Sequence, residues 1–116
     1  MSKNPKQRVE KRFHVYVIEI DSSRFVFAGE GVVYVGETEL SPKQRLKKHL
    51  ERGRGSARVI RRHRVLGLRP DLAPGGSPFA TREEALEWES ATAERLRAQG
   101  FRVYGGQGKP FMEDDW

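Results

Sequence analysis

The sequence predicts a small α/β domain of the α+β kind: a three-stranded, mostly antiparallel sheet flanked by about three helices. Two apolar runs rich in β-branched and aromatic residues, Phe13 to Ile20 and Val32 to Gly36, stand close together early in the chain with turn residues between them. Two capping boxes, Ser41-Pro42-Lys43-Gln44 and Thr81-Arg82-Glu83-Glu84, each open a helical pattern. Length sets the scale: 116 residues, 36% hydrophobic and 33% charged, allow one modest core and no second one.

Taken in order, residues 1–12 carry Lys3, Lys6, Arg8, Lys11 and Arg12 without apolar periodicity and read as a flexible basic arm. The domain proper is expected over residues 13–108. Phe13 to Ile20 is apolar on both faces, as a central strand requires. Asp21-Ser22-Ser23 starts a turn, Phe25-Val26-Phe27 continues a ragged ribbon, and Gly29-Glu30-Gly31 leads into the second strand. The resulting hairpin brings Tyr16 near Tyr34.

Proline at the first helical position and glutamine three residues after Ser41 predict a helix from Pro42 to about Arg52, stopped by Gly53. Arg45 and His49 lie one turn apart on it, flanking the Leu46–Leu50 stripe and so beside the core. Ser56 caps a second helix from Ala57 to Val65 or Leu66. Residues 68–79, rich in proline and glycine, form a connection with a short edge strand at Leu68 to Leu72. The clearest helix opens at Thr81 and ends before Gly100, with Ala85, Leu86, Trp88, Thr92, Ala93 and Leu96 on one apolar arc. Phe101 to Tyr104 returns to the sheet edge, and residues 109–116 form a short acidic tail.

Composition excludes several classes of function. Without cysteine there is neither a disulfide framework nor a thiolate zinc site, and His14, His49 and His63 lack zinc-cluster spacing. The basic N-terminus precedes no apolar segment and no stretch approaches the ~20 apolar residues of a membrane span, so the expectation is a cytoplasmic protein with no membrane partner. The net charge of +6 is concentrated: eleven lysines and arginines lie between Lys43 and Arg69 against the single acid Glu51. Such one-sided charge attracts polyanions through counterion release, and Lys43, Lys47, Lys48, Arg58, Arg61 and Arg62 are the expected nucleic-acid contacts. An acidic protein partner is the competing reading of the same charge.

Glu89 falls within the apolar arc of the long helix, whereas Glu83, Glu87 and Glu94 fall on its far side. A carboxylate in that position costs free energy unless it is paired with an arginine, protonated or bound to a metal.

With these residues placed, the chain resembles the GIY-YIG nuclease superfamily, the module of bacterial excision-repair incision, Holliday-junction resolvase subunits and phage homing endonucleases. His14-Val15-Tyr16 stands where that family has GIY, and Tyr34-Val35-Gly36 where it has YIG. Arg45 with His49 one turn later matches its helical arginine and histidine. The segment Glu84 to Glu89 is similar to the one whose last glutamate holds the metal. The likeness covers Phe13 to about Gln107. It departs at His14, which replaces the first glycine, at Glu37, where some members carry lysine, and at the C-terminal segment, which has Gln107 and no asparagine.

The resemblance implies an endonuclease hydrolysing DNA phosphodiester bonds through a single Mg²⁺, with Mn²⁺ as a substitute, and a place in DNA repair. In that scheme Glu89 anchors the metal and Arg45 bridges phosphate oxygens with its planar, permanently charged fork. Tyr16 or Tyr34 relays or accepts the proton of the attacking water, and His49 is the competing base. The alternative is a catalytically inactive nucleic-acid-binding module of the same fold. With no separate recognition domain in view, specificity falls to structured or damaged DNA, to a homodimer, or to a partner protein.

Overall fold

Strand β1 (His14–Ile20) holds the middle of a sheet because both of its faces are apolar: every residue from Val15 to Ile18 is buried. It pairs antiparallel with β2 (Gly31–Thr38), in a register that sets Tyr16 opposite Gly36 and Ile18 opposite Tyr34. The computed structural model describes residues 12–26, 29–51 and 58–106. Within them follow helix α1 (Pro42–Leu50), the short helix α2 (Arg58–Arg62), strand β3 (Val65–Leu68), a single 3₁₀ turn at Pro70–Leu72, helix α3 (Arg82–Ala98) and strand β4 (Phe101–Gly105).

The class is therefore α+β, as expected, but the sheet is four-stranded and mixed, in the order β3-β1-β2-β4. Two segments account for the difference. Val65 and Leu66, read as the end of the second helix, instead open an edge strand, Val65 to Leu68, antiparallel to β1 with Ile18 opposite Leu68. Backbone bonds lock it at both ends, from Asp21 N–H to the Arg64 carbonyl and from Arg69 N–H to the Val17 carbonyl, each 2.8 Å. Gly67, at φ +143°, supplies a conformation other residues avoid. The edge strand expected at Leu68 to Leu72 is displaced accordingly, and Pro70 opens a 3₁₀ turn there. At the other edge β4 runs parallel to β2, because the long crossover through α3 brings the chain back in the same direction.

The two faces of the sheet bury different clusters. Val15, Val17, Val33, Val35 and Val103 pack with Phe13, Phe79 and the Ala85, Ala93 and Leu96 face of α3. Tyr16, Ile18, Ile20, Val32 and Tyr104 pack with Val59 and Ile60 of α2, with Leu46 of α1 beside them. The first capping box is complete, with Ser41 Oγ accepting from Gln44 N–H while Gln44 reaches back to Ser41 N–H, whereas at the second Thr81 acts as an N-cap whose Oγ1 accepts from Glu84 N–H.

Side-chain directions differ from expectation at three places. His49 is fully buried and Leu50 is half exposed, so α1 is turned to present the imidazole, not the leucine, to the core. Trp88 lies at the margin of the arc, its ring stacked on Phe79 at 6.0 Å. Helix α1 ends at Leu50, short of Arg52. Several sequence readings lie outside the described residues: the basic arm through Lys11, Phe27 of the ribbon, the Gly53 stop, the Ser56 cap with Ala57, Gln107 and the acidic tail. Among the described residues no helix is long and apolar enough to cross a membrane.

Candidate active site

The residues singled out by sequence meet at the Gly36 end of the β1–β2 pair. Tyr16 and Tyr34 point to the same sheet face from adjacent strands, diagonal to one another because the register opposes Tyr16 to Gly36. Their ring centroids are 6.3 Å apart. Gly36 explains how Tyr16 fits. A Cβ at that position would stand 2.6 Å from Tyr16 Cζ, so the phenol lies over bare backbone that no other residue would leave open. The glycine serves a close approach and not a special φ.

Helix α1 lays His49 against both phenols, with centroids 5.9 Å from Tyr16 and 5.5 Å from Tyr34, the latter edge-on. Tyr16 Oη and His49 Nε2 are hydrogen-bonded at 2.9 Å. Burial and the neighbouring Arg45 guanidinium depress the imidazole to about 4, so it is neutral near pH 7. A neutral imidazole accepts at one nitrogen, which makes the Tyr16 hydroxyl a competent donor to it. Burial likewise pushes the Tyr16 hydroxyl well above its ordinary value, reinforced by Tyr34 and opposed by Arg45, which hydrogen-bonds to it. Tyr34 is raised as well, by burial and then by the charge of Glu89. Both tyrosines are therefore neutral phenols, and the half-buried Arg45 supplies the fixed positive charge among them.

Glu89 arrives from α3. Its side of the sheet is separated from the tyrosines by β2, but the β4 ladder ends where Gly105 pairs with Val35, the last β4 partner of β2 among the described residues. Gly105 and Gly106, both at φ +74°, turn the chain there. A Cβ on Gly105 would collide with the Val35 carbonyl, and one on Gly106 with Ala93. Gly106 N–H bonds the Val35 carbonyl at 2.9 Å and also favours the Glu89 carboxylate. Even so, Glu89 is only 8% exposed, and burial followed by repulsion from Glu37 raises it to about 7. Among the described residues no arginine forms an ion pair with Glu89, and its raised value favours partial protonation near pH 7.

Glu37 is the residue that sequence reasoning undervalued. Its side chain, 12% exposed, is held by Arg82 Nε at 3.3 Å, and Arg82 also lies over the Phe13 ring. Its position directly after Gly36 was the available signal. Only the register shows that it shares an end of the sheet with Glu89.

Lys43, Lys47 and Lys48 are exposed on α1, and Arg58, Arg61 and Arg62 on α2, so all six expected nucleic-acid contacts are at the surface of the helices covering the tyrosine face. Among the described residues no three His, Cys, Asp or Glu side chains gather into a metal-binding group. The carboxylates at this centre are Glu89 and Glu37. No protein-family model, curated protein or solved structure matches the chain.

Proposed function

We propose that the chain is a divalent-metal-dependent endonuclease of the GIY-YIG kind, cutting phosphodiester bonds in DNA at the centre built from Tyr16, Tyr34, Arg45, His49 and Glu89. The observation that carries this reading is the convergence itself. Four separate elements, β1, β2, α1 and α3, deliver two phenols, a guanidinium, an imidazole and a buried acid to one end of the sheet, with glycines at the points of closest approach. Ordinary core packing has no use for an acid held near neutrality beside a hydrogen-bonded phenol–imidazole pair.

The residues fit a metal. Glu89 is buried, crowded by a second carboxylate and lifted to about 7, a state that a divalent cation would relieve. A site of one or two carboxylates suits Mg²⁺, which retains water ligands and binds substrate phosphate rather than requiring an all-protein cage. When bound, Mg²⁺, or Mn²⁺ in its place, supplies Lewis-acid polarisation and charge neutralisation at the phosphate.

This chain's own residues do the rest. Arg45 binds the non-bridging phosphate oxygens and counters the charge they gather in the transition state. Tyr16 takes the proton of the attacking water as it hands its own to His49 Nε2 across the 2.9 Å bond, so no free phenolate is formed. The incoming phosphate offsets Arg45, the charge that helps hold His49 low, and so makes the imidazole more basic when substrate is present. Tyr34 keeps Tyr16 and His49 in place and excludes water from the apolar side.

The test is cleavage of supercoiled plasmid and of branched DNA with Mg²⁺ or Mn²⁺, comparing wild type with Glu89→Gln and Arg45→Ala. Each variant is expected to lose about 10²-fold or more in rate. Equal activity in all three proteins overturns the catalytic reading. Salt-sensitive binding without metal-dependent cutting identifies the inactive binding module instead.

A further inference from the structure

At the opposite end of the same sheet face, three segments distant in sequence meet at Phe25 and carry arginines on their exposed sides. Phe25, in the loop after β1, packs against His63 at 4.5 Å between centroids and against Tyr104 at 6.2 Å. Arg102 of β4 lies over Phe25 at 5.9 Å and donates from Nε to Tyr104 Oη at 3.1 Å. Arg24 reaches across to the Arg62 carbonyl at 3.4 Å, and Arg64 leads out of α2 beside them. Arg24, Arg61, Arg62, Arg64 and Arg102 are all exposed. The acids at this end are Asp21, which caps its own turn through Ser23 and faces Arg64 and His63, and Glu30, at the turn beside Gly100.

The register measures this patch against the candidate active site. Arg102 pairs with Val32, while Tyr16 pairs with Gly36 on the same strand. The four residues from Gly36 to Val32 span ~13 Å at ~3.3 Å per residue. A nucleic-acid strand winds as it rises ~3.4 Å per phosphate, which sets successive phosphates roughly 6–7 Å apart in space, so the two positions are about two nucleotides apart.

We propose that Arg24, Arg62, Arg64 and Arg102, on the segments that meet beside Phe25 and His63, form a second grip on the phosphate backbone, about two nucleotides from the bond cut at the Gly36 end. The charge complementarity is to a polyanion of regular spacing. Phe25 and Tyr104 position the Arg102 guanidinium and the Arg62 carbonyl holds that of Arg24, so these two act as placed contacts rather than as scattered surface charge. This deepens the nuclease reading by naming which part of the substrate strand the protein holds, and it is tested without cleavage.

The experiment is fluorescence anisotropy of the full chain with labelled DNA in EDTA across a salt series, using Arg24→Ala, Arg102→Ala and the double variant. Arg24 is exposed and bonds only a carbonyl at 3.4 Å, so its removal leaves the fold intact, and circular dichroism checks Arg102→Ala. On a 20-nucleotide duplex each single change is expected to reduce the slope of log K against log salt by ~0.9, and the double by about twice that. On duplexes shortened base pair by base pair from either end of the footprint of the bound protein, the effect is expected to vanish once one end loses about the last two nucleotides of that footprint. Unchanged slopes overturn the grip, and equal losses on long and shortened duplexes overturn its placement. Displacement of DNA-free protein from an acidic polypeptide by none of these duplexes would assign the patch to a protein partner and refute the proposal. Should the slopes change as expected while Mg²⁺-dependent cutting is absent, the grip stands and the nuclease reading falls, the placement then being read from footprinting of the bound strand.

Discussion

Replacing Gly36 by alanine tests the geometry of the centre with a single methyl group. The new Cβ would lie 2.6 Å from Tyr16 Cζ and 3.0 Å from Cε1, inside any tolerated contact, and both atoms belong to a buried ring that His49 holds by a 2.9 Å bond. The backbone of Gly36 is unstrained, so alanine also restricts the unfolded chain and recovers about 0.4–1 kcal/mol. Against this stand an overpacking cost of about 1–3 kcal/mol and the weakening of the Tyr16–His49 bond, worth about 1 kcal/mol. The net expectation is a loss of about 1–3 kcal/mol, a fall in Tm of roughly 5–20 °C for a domain of this size. A double-mutant cycle isolates the cause: in a Tyr16→Ala background the methyl group has room, and Gly36→Ala should cost little or even stabilise. Thermal and urea unfolding followed by circular dichroism measure all four proteins. If the two substitutions are additive within ~0.5 kcal/mol, the phenol does not rest on Gly36 and the account of the site is wrong.

Two pH-dependent effects oppose one another and a third substitution separates them. Glu89 holds its proton more tightly when folded, so its favourable contribution is complete below about 4.5 and is lost as pH rises through about 7, on the order of 3 kcal/mol in all. His49 is depressed from 6.5 to about 4, so its contribution is present above 6.5 and is lost as pH falls through about 4, by a similar amount. Wild type is thus expected to show a nearly flat stability between pH 4.5 and 6.5, measured by urea midpoints. Glu89→Gln should unmask a rise over that interval and should stabilise the metal-free protein at pH 8; a falling curve in the variant would refute the assignment of both groups.

Much of this centre was legible because its residue types are unusual where they stand. Helical periodicity alone marks Glu89, and the expected hairpin together with the resemblance to the GIY and YIG segments marks the tyrosines. The reach of that reasoning ended where partners are non-local. Val65 to Leu68 is too short and too interrupted by Gly67 to announce a strand, and only pairing with Ile18 to Ile20 makes it one. His49 and Leu50 compete for the core side of a two-turn helix, and periodicity favours the leucine. The structure favours the histidine because Tyr16 Oη offers its Nε2 a buried partner, which converts a desolvation cost into a hydrogen bond. Glu37 was visible as a residue but not as a neighbour of Glu89, since that proximity arises from the register of β2 and the early end of β4.

The same electrostatics predict how metal and proton are linked. Near pH 7 the tyrosines and His49 are neutral, Glu37 is occupied by Arg82, and Glu89 is about half protonated, which leaves Arg45 as a fixed positive charge at the centre. A cation bound at Glu89 must first displace that shared proton. Calorimetric titration of Mg²⁺ in buffers of different ionisation enthalpy should therefore register release of about half a proton per ion at pH 7, nearly one at pH 6 and about a tenth at pH 8. Glu89→Gln should abolish both the release and the binding. A release that stays constant across this range, or survives the substitution, would place the metal elsewhere. DNA alone should act in the opposite sense, because its phosphate raises Glu89 further and takes up protons. Metal and DNA then favour one another at the centre, each removing the charge imbalance that the other creates.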